Sequence, residues 1–193
     1  MLIFSFLLFI IYSKGAAQDI QRQGFYSSVQ PGVVWFKENE TSNPASSFPL
    51  PYDPTYSRIA LALDTQVGWA VTSNLILHGT LLLSIGESMD IASMSTTVDL
   101  AGGGATFYIP NNFFVTGNIG TSFANDRDCC AYTQFENGFS FQIKAGKEWM
   151  SNKKWGIGAA AEYGGYSTQY GYVDVTYKNT VKRFGFRILF THY

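Results

Sequence analysis

The stretch RIALALDTQVGWAVTSNLILHGTLLLSI, residues 58–85, decides the fold. In its first half, Ile59, Leu61, Leu63, Thr65, Val67, Trp69 and Val71 fall on one parity, and Arg58, Ala60, Ala62, Asp64, Gln66, Gly68 and Ala70 on the other. After the break at TSN, Leu75, Leu77, Gly79, Leu81, Leu83 and Ile85 alternate with Ile76, His78, Thr80, Leu82 and Ser84. Successive side chains of a strand point to opposite faces, so this period of two predicts two strands joined by a tight turn.

The same pattern recurs along the chain. Residues 113–123, 139–149 and 184–190 alternate in the same way, with 97–109 interrupted by the glycine run AGGGA. Three short breaks, WAVTSNLIL at 69–77, FYIPNNFFV at 107–115 and EWMSNKKWGI at 148–157, each place Ser, Pro or Asn between an aromatic strand end and a new apolar strand, which is turn chemistry. The remaining connections read as longer and polar, one at about 37–55 and the others centred near 91, 131 and 173. Folding about these centres gives four hairpins, 24–69, 74–109, 112–150 and 154–192. The expected fold is all-β, an eight-stranded antiparallel up-and-down barrel.

Composition agrees. Of 193 residues, 17% are aromatic and only 14% charged, against roughly 25% charged in ordinary soluble domains. The high aromatic content excludes disorder. A net charge of −1 excludes a nucleic-acid partner recruited by bulk charge. Mean hydropathy is +0.01, too low for a helical membrane bundle. Residues 2–12, LIFSFLLFIIY, have the length of a signal-peptide core, and Gly15 and Ala17 suit a cut before Gln18. The expected organisation is a signal peptide over 1–17 and a barrel over 18–193.

A soluble barrel turns its apolar face inward and a membrane barrel outward, and both alternate. Three features favour the membrane. The polar face carries mid-strand charges (Arg58, Asp64, Asp99, Lys144, Glu148, Glu162, Arg183, Arg187) diluted by Gly and Ala, as a narrow interior requires. Trp69, Trp149 and Trp155 lie beside the short turns and Trp35 toward the other end, as two interfacial girdles would. Short turns at one end and long loops at the other match the periplasmic and extracellular ends of such barrels. Lys147, on the apolar face near a turn, can snorkel to headgroups. Folding the last hairpin sets Glu162 within ion-pair reach of Arg183 or Arg187, with Lys144 on its other side.

On these residues the chain resembles the small bacterial outer-membrane β-barrels of the outer-membrane protein A type over residues 24–192. The most specific motif is RFGFRILF, in which Arg183, Gly185, Ile188 and Phe190 fill the polar, glycine, apolar, apolar pattern of the barrel insertion signal. GKEWMSNKKWGIGAAAEY at 146–163 is similar to a hairpin common in such barrels. The resemblance implies a monomer in the bacterial outer membrane with both termini periplasmic, in contact with outer-membrane lipid and recognised by the assembly machinery.

His78 and His192 stand on different strands without metal-ligand spacing, and Cys129 and Cys130 are adjacent in the loop NDRDCCAY, open to a free-thiol or intermolecular reading. No P-loop, dinucleotide fingerprint or nucleophile elbow occurs. The expectation is a protein that is not an enzyme, without catalytic residues, metal or cofactor. Its polar lumen is either filled, with loops serving envelope integrity, adhesion or recognition of an extracellular ligand through 37–55, or a narrow pore or transport route for small or apolar solutes.

Overall fold

The computed structural model describes residues 22–44, 55–87, 94–126, 134–151, 154–172 and 175–193. The signal-peptide segment 1–17 and the Cys129–Cys130 pair lie outside them. Eight strands close into one barrel in which each pairs antiparallel with its sequence neighbours and β1 with β8. They are β1 (Gly24–Pro44), β2 (Thr55–Ala70), β3 (Leu75–Glu87), β4 (Met94–Ile109), β5 (Phe113–Asp126), β6 (Gln134–Met150), β7 (Trp155–Tyr172) and β8 (Val175–His192). Closure leaves no sheet edge, the condition for strands to cross a bilayer.

The apolar parity faces outward on every strand: Phe25, Ile59, Leu77, Phe107, Ile119, Phe139, Ile157 and Phe186 are exposed, with Leu61 67% and Ile119 63% accessible. Monomeric soluble proteins rarely expose contiguous apolar patches beyond a few hundred Å². A ring of such residues around the whole circumference is a lipid-facing belt, and it excludes a soluble barrel with its apolar face inward. From Phe25 to Trp35 the belt runs ten residues along β1, about 33 Å of strand and about 25 Å of height once tilted. Trp35, Trp69 and Trp155 are exposed on this surface and Trp149 partly so. The Lys147 amine lies 5.0 Å from the Phe113 ring centre and 5.9 Å from that of Trp149.

The short turns gather at the end that also holds Arg22 and Tyr193. In the first, Thr72 Oγ1 accepts from the backbone N–H groups of Asn74 and Leu75. In the second, Pro110–Asn112 forms a single 3-10 turn with Asn111 and Asn112 at φ +65° and +59°, a left-handed conformation that asparagine tolerates better than most residues.

The connection read as a loop over 37–55 is shorter than expected. β1 continues to Pro44, which pairs with Val175, and β2 begins at Thr55, so only 45–54 connect them. Residues 37–43 are all polar, so alternation no longer marks the strand. The connection centred on 173 is likewise not long, because β7 reaches Tyr172 and β8 starts at Val175.

Two irregularities interrupt the wall. Pairing of β1 with β8 passes from Val29↔Phe190 to Gly32↔Arg187, and the gap contains Pro31, which has no N–H to donate. In β4 the register shifts at Asp99, where Leu82 still pairs with Leu100 and Leu83 with Val98. This bulge turns both Asp99 and Leu100 inward.

Candidate functional site: the barrel lumen

At the waist, Lys144 of β6 places its amine 2.7 Å from Asp64 Oδ2 on β2 and 2.6 Å from Gln30 Oε1 on β1. β6 and β2 are four strands apart in either direction around the wall, so this side chain spans the lumen. Asp64 also accepts from Thr80, and Gln30 donates to Ser28 and Gln66. Beside this bridge, Glu162 of β7 accepts two N–H bonds from Arg187, at 2.8 and 2.7 Å, and a third from Gln142. Gln142 in turn accepts from Asn118. Arg183 lies 3.8 Å from Glu162 and 3.5 Å from Asp99, whose other oxygen accepts from Ser84. Lys144, Glu162, Arg183, Arg187, Asp64 and Asp99 are all at most 2% accessible. Buried charges need partners, and Arg183 is met by its two ion pairs rather than by hydrogen bonds.

Glu162 stands opposite Gly185 in register, midway between Arg183 and Arg187. A Cβ at Gly185 would come within 2.6 Å of the Val33 carbonyl oxygen and of Val34 Cγ1, so the glycine lets β1 and β8 approach here. Lys144 stands directly opposite Glu162, yet its amine crosses to Asp64.

At the base, Glu148 accepts from the Tyr193 hydroxyl at 2.7 Å, from Arg22 at 3.3 Å and from Thr191. The Arg22 guanidinium lies 3.6 Å over the Tyr108 ring and donates to Asn112. The Tyr108 and Tyr193 hydroxyls are 2.7 Å apart. Tyr26, Ile76, Phe114 and Leu189 pack around them. Toward the other end, Val34, Phe36, Leu82, Leu100, Tyr166 and Val181 form a second apolar cluster, and the half-buried Arg58 lies 5.3 Å over the Phe36 ring.

The structure thus brings Asp64 to Lys144, and Asp99, Glu162, Arg183 and Arg187 to one another, while Glu148 belongs to the base and Arg58 to the upper cluster. Of the insertion-motif residues, Arg183 and Gly185 face the lumen, and Ile188 and Phe190 face lipid. Sequence reasoning did not find Gln66, Asn118 and Gln142, though their parity marked them, nor Gln30, whose strand was assigned no parity. It had no signal for Arg22, which precedes the first strand. His78 is buried, with Nε2 3.0 Å from Thr106 Oγ1, and His192 packs on Trp155 at the outer surface, 4.6 Å between ring centres.

No protein-family model matches the chain, and no curated protein matches it in sequence. Solved structures are similar in fold. OprG, an outer membrane protein from Pseudomonas aeruginosa, superposes with a TM-score of 0.53 at 10% identity, covering 91% of this chain and 99% of that one. The outer membrane protein AlkL, solved in lipid bilayers, gives 0.55 at 14% identity, covering 94% of each. The chain has the fold of the small eight-stranded outer-membrane β-barrels.

Proposed function

We propose that this protein is a non-enzymatic, monomeric resident of the bacterial outer membrane. Its barrel is closed to conduction and serves as a rigid scaffold, with both termini periplasmic and the connections of the opposite end presented outside the cell for adhesion, recognition or envelope integrity. The observation that carries this reading is the Lys144 bridge to Asp64 and Gln30, which crosses the lumen at its waist. An eight-stranded barrel has just enough interior for side chains, and here they meet in the middle. The exposed apolar ring supplies the contact with outer-membrane lipid. The RFGFRILF motif supplies the reading that the outer-membrane assembly machinery recognises β8.

Planar-bilayer recording on refolded protein tests the closed lumen. Wild type should be electrically silent, and Lys144→Ser should produce discrete openings. Steady unitary conductance from wild type would move the pore reading to the front.

A second reading, a lateral route for apolar molecules through the wall, is favoured by the gap in β1–β8 pairing at Pro31. Pro31→Val would restore the missing donor. Faster apolar-solute entry in wild type than in this variant would support that route, and equal rates would remove it.

A further inference from the structure

On the outer surface, Lys37 of β1 and Lys182 of β8 are direct cross-strand partners. Both are exposed, and on the outward parity they stand two residues beyond Trp35 and Phe184. Directly opposed side chains have Cβ atoms about 4.5–5.5 Å apart, and like charges so placed destabilise a sheet. Neither lysine forms an ion pair or hydrogen bond in the described structure. Their neighbours across the ladder supply no carboxylate: Ser57 pairs with Lys37 and Gly165 with Lys182. Glu38, next in sequence, alternates toward the inner wall with Phe36. The two ammonium groups therefore form an unneutralised pair.

Immediately below lies an aromatic platform. The Trp35 ring is 6.4 Å from Phe184 and 6.2 Å, edge-on, from Phe186, and Phe184 meets Phe186 edge-on at 5.3 Å. Trp at the end of an apolar belt marks the headgroup level. Two residues of strand add about 7 Å, so the ammonium groups stand at the depth of lipid phosphates, where lysine stems also snorkel.

We propose that Lys37 and Lys182 clamp the phosphate of a lipid headgroup in the outer leaflet, with its acyl chains lying on Trp35, Phe184 and Phe186. A phosphate dianion between the ammonium groups converts a repulsive cross-strand pair into a bridge. This site deepens the outer-membrane reading and rests on it.

The test uses the full barrel refolded into phosphatidylcholine vesicles with or without phosphatidic acid as the phosphomonoester probe. It compares wild type, Lys37→Gln, Lys182→Gln, the double variant, and Lys147→Gln at the opposite interface. Lipid retained after detergent extraction is measured by native mass spectrometry, together with urea-unfolding midpoints. Each single variant should weaken phosphatidic acid retention about fivefold and the double variant about 25-fold, on the scale of one basic residue at an anionic surface. Lys147→Gln should leave it unchanged. Stability should change sign with the lipid. In pure phosphatidylcholine the single variants should unfold at the same or higher urea than wild type, because the repulsion is relieved. With phosphatidic acid they should unfold earlier.

Equal retention by wild type and the double variant would overturn the proposal, as would an equal loss in Lys147→Gln. Displacement of the lipid by inorganic phosphate would assign the pair to free anions and overturn the lipid assignment. Wild type that inserts, shown by a heat-modifiable band, but does not prefer phosphatidic acid defeats this inference alone. Wild type that fails to insert defeats the outer-membrane reading and this inference with it.

Discussion

The waist and the base of the lumen are both crossed by side-chain bonds, of different kinds. At the waist, Lys144 and Glu162 reach charged partners on other strands: Glu162 takes two of its three hydrogen bonds from Arg187, and Asp64 one of its two from Lys144. At the base, the single carboxylate of Glu148 draws on Tyr193 and Thr191 as well as Arg22, so no one partner is indispensable. The waist fixes strands against one another. The base is assembled from the residues that flank the first and last strands. The difference predicts that substitutions at the waist cost much more than those at the base, even though both regions are buried.

The largest effect should come from Glu162→Gln. It removes the negative charge and one of the two oxygens that accept from Arg187, and so leaves the guanidinium without its counter-ion, at a cost of about 3–5 kcal/mol. Equilibrium urea unfolding in detergent micelles measures it, and an unchanged midpoint would mean that the waist is well hydrated. Replacing both members, Glu162→Leu with Arg187→Met, should recover most of the loss, because removing a buried pair together avoids the unpaired charge.

Next is Gly185→Ala in the wall beside Glu162. Its Cβ has no room against the Val33 carbonyl, so β1 and β8 must separate, at about 1–3 kcal/mol. The readout is the amount of folded, heat-modifiable protein in the membrane fraction. Levels equal to wild type would show that the waist can widen and would weaken the contrast with the base.

Arg22→Ala should cost about 1–2 kcal/mol, mainly the desolvated stacking on Tyr108, because Glu148 keeps its hydroxyl donors. Tyr193→Phe should cost least, about 1 kcal/mol for the hydrogen bonds to Glu148 and Tyr108. If either matches Glu162→Gln in the same urea titration, the distinction between waist and base is lost.

The sequence made this contrast partly visible. A period of two places Lys144, Glu162, Arg183 and Arg187 on one wall, and the short turns fix which strands are neighbours, so the pairing of β7 with β8 was readable from residue 173 outward. Reach across the lumen was not readable. Alternation assigns a face, and Lys144 could have turned to Glu162 beside it rather than to Asp64 on the opposite wall. The upper part of β1 was hidden for a different reason. KENETSNP has no apolar parity because its side chains from Lys37 to Asn43 are all polar, and polar strand and polar loop then look alike. Arg22 lies before the first periodic residue, so nothing in the pattern pointed to it.

The bulge at Asp99 makes β4 unusual in how it can drift. In the other strands, gaining or losing one residue would exchange the lipid-facing and lumen-facing sets over the rest of the strand. In β4 the two phases already meet at Asp99 and Leu100, both turned inward. Loss of Asp99 would remove the bulge and leave both Leu100–Ile109 and Met94–Val98 with their present partners, because Val98 already stands opposite Leu83 and Leu100 opposite Leu82. The strand therefore has a site where one residue can be lost at the expense of one acid alone, and single-residue deletions among descendants of this sequence should accumulate there before anywhere else in the wall.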